Sequence, residues 1–138
     1  MIRAVLDTNV IFAAINVGDP QHARCRAVLG RADLSLVVPL LCVAEVSHLV
    51  NRDLTPEIEA GFVRSLTVMN VEAPEVDDWT RIADLVQQYA DFPLGAVDAS
   101  IVALSERLNA RIILTMDHRH FRAIRPKHVE AFTLLPQL

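Results

Sequence analysis

The sequence has few of the residues that define several classes of protein. Only two of its 138 residues are cysteines. Cys25 and Cys42 have neither the spacing of a metal-binding pair nor a disulfide-rich context, so we expect buried thiols. The longest apolar run, 36–44, is about half of the roughly 20 residues that a membrane-spanning helix needs. The first residues reach an acid at Asp7 without forming a signal-peptide core. These absences predict a soluble domain of the cytoplasm that makes no contact with a membrane.

Aromatic residues and positive charge are also scarce. Aromatic residues make up 5% of the chain, and they are too dispersed along it to predict a platform on which nucleic-acid bases stack. The chain has 17 acidic and 13 basic residues, which gives a net charge of −4. This balance excludes a protein that holds nucleic acid by bulk positive charge. It leaves open a nuclease whose acids bind metal.

The residues that are present indicate one α/β domain over 1–138. Hydrophobic residues make up 52% of the chain and charged residues 22%, which excludes disorder. Short aliphatic runs alternate with helical patterns, and this favours a mostly parallel five-stranded sheet covered on both faces, an α/β/α sandwich. The predicted strands are 2–6, 34–38, 68–71, 111–115 and 132–135, and the predicted helices are 8–15, 20–31, 39–52, 55–66, 75–90 and 96–109.

Two acids follow predicted strands. Asp7 ends the first strand, and Asp117 comes shortly after the fourth. Sites in parallel sheets form outside the carboxyl ends of the strands, so we expect both side chains at one edge of the sheet. Either residue alone could equally serve as the N-cap of a helix.

Two further acids occupy apolar helix faces. Glu45 has Leu41, Cys42, His48 and Leu49 three or four residues away, and Asp98 has Ile101 and Val102. Neither acid has a lysine or arginine at helical spacing, and a carboxylate buried without a partner is costly. We therefore expect another group to compensate these charges.

The predicted helix 75–90 provides a contrast. Asp77, Asp78 and Asp84 lie three or four residues from Arg81, a pattern typical of ion pairs on a solvated face. The unpaired acids elsewhere indicate a carboxylate cluster, whose members would repel one another unless a hard divalent cation bound them. Oxygen ligands alone favour Mg²⁺ or Mn²⁺ over zinc.

Four segments in order resemble the PIN-domain family. They are Val5-Leu6-Asp7-Thr8-Asn9, Glu45 in a helix, Val97-Asp98-Ala99-Ser100 and Thr115-Met116-Asp117. The spacing and the length are most similar to VapC-type toxins of bacterial toxin–antitoxin pairs. The resemblance implies a parallel five-stranded α/β/α fold and a Mg²⁺- or Mn²⁺-dependent endoribonuclease.

The resemblance also implies roles for individual residues. Asp7, Glu45, Asp98 and Asp117 match the family's catalytic, metal-binding acidic quartet, and Asn9 and Thr115 match polar residues that support it. It implies a homodimer and a cognate antitoxin. We place the antitoxin contact at the helices around 8–31 and 39–66.

A basic segment follows the last acid. Arg119 and Arg122 share helical spacing beside Asp117 and are the best candidates for contacts to RNA phosphates. The alternative is a solvated helix and loop. His118 and His120 lie two residues apart, so on a helix they face different ways, and we expect them exposed or facing RNA rather than binding metal.

Other functions remain open at this stage. A phosphotransfer receiver needs a lysine after a late strand, whereas the single lysine, Lys127, lies beyond Asp117. A dehalogenase-like phosphatase needs a second acid two residues after the first, where this chain has Asn9. The third alternative is a PIN-like interaction module without catalysis.

Overall fold

The protein is built on a parallel sheet whose central strand is the first in the chain. The computed structural model describes all of residues 1–138. Five strands pair in parallel in the order β3-β2-β1-β4-β5. The strands are β1 (Ile2–Leu6), β2 (Leu34–Pro39), β3 (Asn70–Glu72), β4 (Ile112–Leu114) and β5 (Thr133–Leu135). The predicted α/β fold with a parallel five-stranded sheet is confirmed.

Seven helices cover the two faces of the sheet. They are α1 (Thr8–Ile15), α2 (His22–Leu29), α3 (Leu40–Asp53), α4 (Pro56–Ser65), α5 (Val76–Gln88), α6 (Ala96–Arg107) and α7 (His118–Arg122). One hydrophobic cluster packs residues of α1 to α4 on one face, and a second packs residues of α5 to α7 on the other. The result is three layers. The helices are all too short or too polar to span a bilayer.

Alternation along the strands builds the two hydrophobic clusters. In β1, Ala4 and Leu6 point toward the α1–α4 face, and Val5 points toward the α5–α7 face. All three are fully buried, as successive strand residues are when helices cover both sides. Cys25 and Cys42 are buried free thiols, which confirms the expectation for both cysteines.

The third strand lies later than predicted. Residues Leu66–Val68 form a 3-10 helix that continues directly from α4, and β3 begins only at Asn70. The Ser65 hydroxyl donates to the Phe62 carbonyl at 2.6 Å at the junction between α4 and this segment. Pairing with β2 then fixes the strand, because Val37 lies opposite Asn70.

The acids around Arg81 do not form the ion pairs predicted within their own helix. Arg81 on α5 instead binds Glu106 on α6 through two hydrogen bonds of 2.8 and 2.9 Å. Asp78 is buried and accepts a 2.7 Å hydrogen bond from Arg107. Helical spacing indicates only neighbours on the same helix, whereas the face of α5 that carries Asp78 and Arg81 packs against α6. These two charged residues therefore pair with residues of α6.

Candidate active site

The carboxyl ends of β1 and β4 bring two site residues together. Leu6 lies opposite Leu114 in the register of these strands, so Asp7 and Thr115 follow side by side. The chain builds the β2 side of the sheet first and then crosses to β4 on the other side of β1. Such a point of reversal opens a crevice at the carboxyl ends of the strands, where parallel sheets bind ligands.

Asp7 is buried, and its carboxylate is held at both oxygens. It is only 5% exposed. Its Oδ1 accepts a 2.7 Å hydrogen bond from the Thr8 backbone N–H at the start of α1. Its Oδ2 accepts a 2.8 Å hydrogen bond from the Thr115 hydroxyl. Asp7 is thus the N-cap of α1 and also a fixed carboxylate at the crevice.

The Thr115 hydroxyl connects the acids at the ends of the two strands. While donating to Asp7, it accepts a 2.9 Å hydrogen bond from the backbone N–H of Asp117. Asn9 braces the same turn, because its Oδ1 accepts a 3.0 Å hydrogen bond from the Met116 backbone N–H. Thr115 and Asn9 therefore fix the separation of Asp7 and Asp117.

Asp117 caps the short helix α7. Its Oδ1 accepts a 3.1 Å hydrogen bond from the backbone N–H of His120, and its Oδ2 lies 2.9 Å from Nδ1 of the same histidine. The other ring nitrogen of His120, Nε2, lies 3.8 Å from Oδ2 of Asp98. His120 thus stands between two of the acids.

Asp98 and Glu45 reach the crevice from two helices. Asp98 lies in the first turn of α6, where the positive end of the helix dipole favours a carboxylate. Glu45 lies on α3 and is exposed, so the expectation that it is buried is wrong. Its helix face is apolar on either side, but at Glu45 itself that face opens into the crevice. His48 is also exposed and is not a core histidine.

An open cavity of about 370 Å³ collects all four acids. No lysine or arginine lines it, and the ring of His120 lies against the carboxylates of Asp98 and Asp117 at its edge. No three acidic, histidine or cysteine side chains lie close enough to bind one ion directly. The lining residues are Asp7, Thr8, Asn9, Phe12, Asp19, Glu45, Leu49, Asp98 and Asp117.

Burial raises the pKa of two acids in this cavity, Asp7 and Asp98. The pKa of Asp7 rises to about 7, chiefly because burial penalises its charge, and the negative charges of Asp98 and Glu45 add to the effect. Burial likewise raises the pKa of Asp98, against the opposing influence of His120 and with a further contribution from Glu45 and Asp117. The negative charge of these two acids is therefore costly, and a bound cation would relieve that cost.

These residues fit a hydrated divalent cation. Mg²⁺ keeps several of its waters and is commonly held by only one or two carboxylates, so separated acids around an open cavity suit it. The hydroxyl of Thr8 lines the cavity, is buried and has no hydrogen-bond partner. An unsatisfied buried hydroxyl of this kind indicates a missing polar group, such as a water or an ion.

The basic residues predicted to contact RNA lie in two places. Arg119 is exposed and shares a second cavity with Asp117 and His120. Arg122 is also exposed but lines a different cavity, with His118 and the C-terminal residues. Only Arg119 adjoins the acids.

The two histidines of α7 have different environments. His118 is buried, because α7 turns this side toward the core. His120 leans against Asp117 and Asp98. The expectation that His118 is exposed or faces RNA is wrong, whereas His120 is half-buried and lines an open cavity. The two side chains do point in different directions, as their spacing requires.

The structure adds two residues to the neighbourhood of the site. Asp19 lines the acidic cavity, and its Oδ1 accepts a 2.7 Å hydrogen bond from the Gln21 N–H. Phe92 lines the second cavity, beside Asp117. Both lie in loops, and the sequence around each indicates only a turn. The positions of Asp19 and Phe92 depend on the paths of these loops, which the packing of the connected helices sets.

Comparison with known proteins identifies the family. The family model described as PIN domain matches residues 4–126. Ribonuclease VapC26 of Mycobacterium tuberculosis is 33% identical over 137 residues, which cover 96% of this chain and 99% of the relative.

Solved structures agree on the fold. VapC20 of Mycobacterium tuberculosis, a toxin that cleaves the sarcin-ricin loop, superimposes with a TM-score of 0.79 at 19% identity over 92% of this chain and 98% of its own. VapBC2 of Rickettsia felis, bound to a DNA fragment from its promoter, superimposes with a TM-score of 0.72 at 15% identity. The match covers 98% of this chain and 100% of that one. The parallel sheet, the order of the four acidic segments and these matches lead to one conclusion: the chain belongs to the PIN-domain family.

Proposed function

We propose that the protein is a Mg²⁺- or Mn²⁺-dependent endoribonuclease, a VapC-like toxin. The observation that carries this proposal is the cavity that gathers Asp7, Glu45, Asp98 and Asp117 without a lysine or arginine. The curated relative named Ribonuclease VapC26, at 33% identity over nearly the full length of both chains, supports RNA as the substrate.

The four acids face one cavity from different elements in the proposed reaction. They would hold a Mg²⁺ or Mn²⁺ ion, which would offset negative charge on the phosphodiester and lower the pKa of a water. Asp7 is fixed through Thr115 and Thr8 and offers its carboxylate at the base of the cavity. Asp98 and Asp117 flank it, and Glu45 on α3 closes the opposite side.

The remaining residues keep these carboxylates in place. Thr115 holds Asp7 and the backbone of Asp117 with one hydroxyl, and His120 holds both oxygens of Asp117. Preorganisation of this kind lowers the cost of binding the charged transition state.

Cleavage assays with purified protein test the proposal. The parent should cleave single-stranded RNA with Mg²⁺ or Mn²⁺ and stop with chelator. Asp7→Asn and Asp98→Asn should each lower the rate by about a hundredfold or more, because each change removes a carboxylate at the metal. Asp53→Asn is the matched control, since Asp53 is an exposed acid paired with Arg52, and its rate should equal that of the parent. Folded Asp7→Asn and Asp98→Asn variants that cleave at the parent's rate would show that the protein acts in another way, such as a PIN-fold interaction module.

We also propose a cognate antitoxin, a homodimer and a cytoplasmic location. Solved toxin–antitoxin complexes share the fold, among them VapBC from Salmonella typhimurium with a TM-score of 0.68 at 18% identity. Exposed apolar residues such as Leu40, Val63 and Val76 leave surface for such contacts. Light scattering of the isolated chain measures the dimer, and co-purification with the product of the neighbouring gene tests the antitoxin.

A further inference from the structure

A second open cavity, also of about 370 Å³, adjoins the acidic one. Four residues line it: Phe92, Asp117, Arg119 and His120. Asp117 lines both cavities, so they are neighbouring compartments of one surface. A chain that places a phosphodiester among the acids can reach the second cavity with the adjacent nucleotide.

An aromatic cluster forms one side of this second cavity. The rings of Phe92 and His120 meet edge to face with centroids 4.6 Å apart, and Tyr89 lies 6.3 Å from Phe92 on the other side. Although it contacts both rings, Phe92 stays 37% exposed. The sequence predicts no stacking platform because its aromatic residues are dispersed, but the turn after α5 and the start of α7 bring these rings together.

The charges of the second cavity suit a nucleotide. Arg119 is exposed and supplies a cation for a phosphate, and its guanidinium also stacks on bases. The Asp117 carboxylate, which lines both cavities, is held in place by hydrogen bonds with His120. An exposed aromatic ring beside an arginine is the arrangement with which proteins bind single-stranded nucleic acid.

We propose that Phe92, with Arg119 and His120, forms a subsite that stacks the base of an unpaired nucleotide next to the scissile phosphate. The inference rests on the proposed nuclease function and deepens it, because it restricts the substrate to unpaired RNA at that position. A paired base cannot leave its helix to stack on Phe92 without losing its partner.

Binding measurements separate the subsite from the acids. The probes are two fluorescent oligomers of eight nucleotides with equal charge, one of mixed-sequence RNA and one an abasic ribose-phosphate chain. All variants carry Asp7→Asn, so that cleavage does not consume the RNA. Phe92→Leu should weaken binding of the RNA about tenfold, the loss typical of one stacked base, and leave binding of the abasic chain unchanged. Phe92→Trp should restore the preference for RNA, because tryptophan also stacks.

Trp79→Leu is the matched control. Trp79 is 51% exposed on α5 and lines neither cavity, so its removal should change neither affinity. Equal binding of RNA by the parent and by Phe92→Leu, or equal losses on RNA and on the abasic chain, would overturn the subsite. Failure of the nuclease proposal appears separately: the protein with Asp7 intact does not cleave RNA, while the Phe92-dependent preference for bases persists in the Asp7→Asn background. An Asp7→Asn protein that binds neither oligomer would overturn the subsite.

Discussion

Burial of the Asp7 carboxylate makes the stability of the metal-free protein depend on pH. The pKa of Asp7 is raised from 3.8 to about 7, so the folded state binds a proton that the unfolded state has already lost between these values. The stabilisation of the folded state by the proton on Asp7 is therefore fully present below pH 3.8, and it is lost as the pH rises through about 7.

We predict that Asp7→Asn stabilises the metal-free protein at pH 8, by on the order of 3 kcal/mol. The physical reason is that asparagine fills the same space without a buried charge. Near pH 4 the two proteins should have nearly the same free energy of unfolding, because folded Asp7 is then neutral and the unfolded carboxyl is only about half ionised. Urea unfolding with chelator at several pH values measures this difference. A difference that is the same at pH 4 and pH 8 would contradict the prediction.

For single residues, the sequence indicates which side chains belong to the candidate site better than it indicates what surrounds each of them. Strand ends and helical spacing are enough to single out Asp7, Glu45, Asp98 and Asp117. They do not show that Glu45 is exposed or that His120 leans on Asp117, because each depends on how a helix is rotated against the crevice. Asp19 and Phe92 enter through loops, whose paths depend on the packing of the helices that they connect.

At the scale of elements, charged side chains fasten α5 to α6. Asp78 accepts hydrogen bonds from the Glu75 backbone N–H at 2.9 Å and from Nε of Arg107 at 2.7 Å. It therefore caps its own helix and binds the neighbouring one. Since α6 also carries Asp98 in its first turn, this contact helps to hold an acid of the site.

We predict that Arg107→Met lowers the free energy of unfolding by about 3 kcal/mol, because it leaves the buried Asp78 carboxylate without its cation. The control is Arg52→Met. Arg52 pairs with Asp53 at a similar 2.7 Å, but on the surface, where an ion pair contributes less than about 1 kcal/mol. If urea unfolding gave equal losses of unfolding free energy for the two variants, the ion pair between Arg107 and Asp78 would contribute no more than a surface ion pair, and the prediction would be wrong.

The sequence predicts most elements and misplaces those that tertiary contacts define. The predicted helices 8–15 and 39–52 agree with α1 and α3 to within a residue, since proline and apolar spacing mark them locally. The strand predicted at 68–71 lies instead at Asn70–Glu72, since pairing with β2 sets its register. The partners of Arg81 and Asp78 belong to another helix, which periodicity within one helix does not reveal.

For the whole molecule, the acidic cavity accounts for the excess of negative charge. Without Asp7, Glu45, Asp98 and Asp117 the chain would have 17 − 4 = 13 acidic residues against 13 basic ones. These four acids of the cavity thus equal the net negative charge in number, and the basic residues, all outside the cavity, match the remaining acids in number.

We predict that Mg²⁺ raises the thermal midpoint of the protein at pH 8, by about 10 °C at a hundred times its dissociation constant. The ion binds the folded cavity, whereas the unfolded chain has no such cluster. Differential scanning calorimetry should show the shift in the parent and in Asp53→Asn but not in Asp98→Asn. A shift that persists in Asp98→Asn would place the ion elsewhere.

The central position of β1 has a consequence for synthesis on the ribosome. Ala4 pairs with Ile112, and the hydroxyl that holds Asp7 belongs to Thr115. A growing chain that has not yet reached β4 already contains Asp7, Glu45 and Asp98 but cannot close the sheet around the first of them. Contacts so distant along the chain form last. The site is therefore assembled only after β4 has been translated, and a fragment that ends before β4 lacks the hydroxyl that holds Asp7.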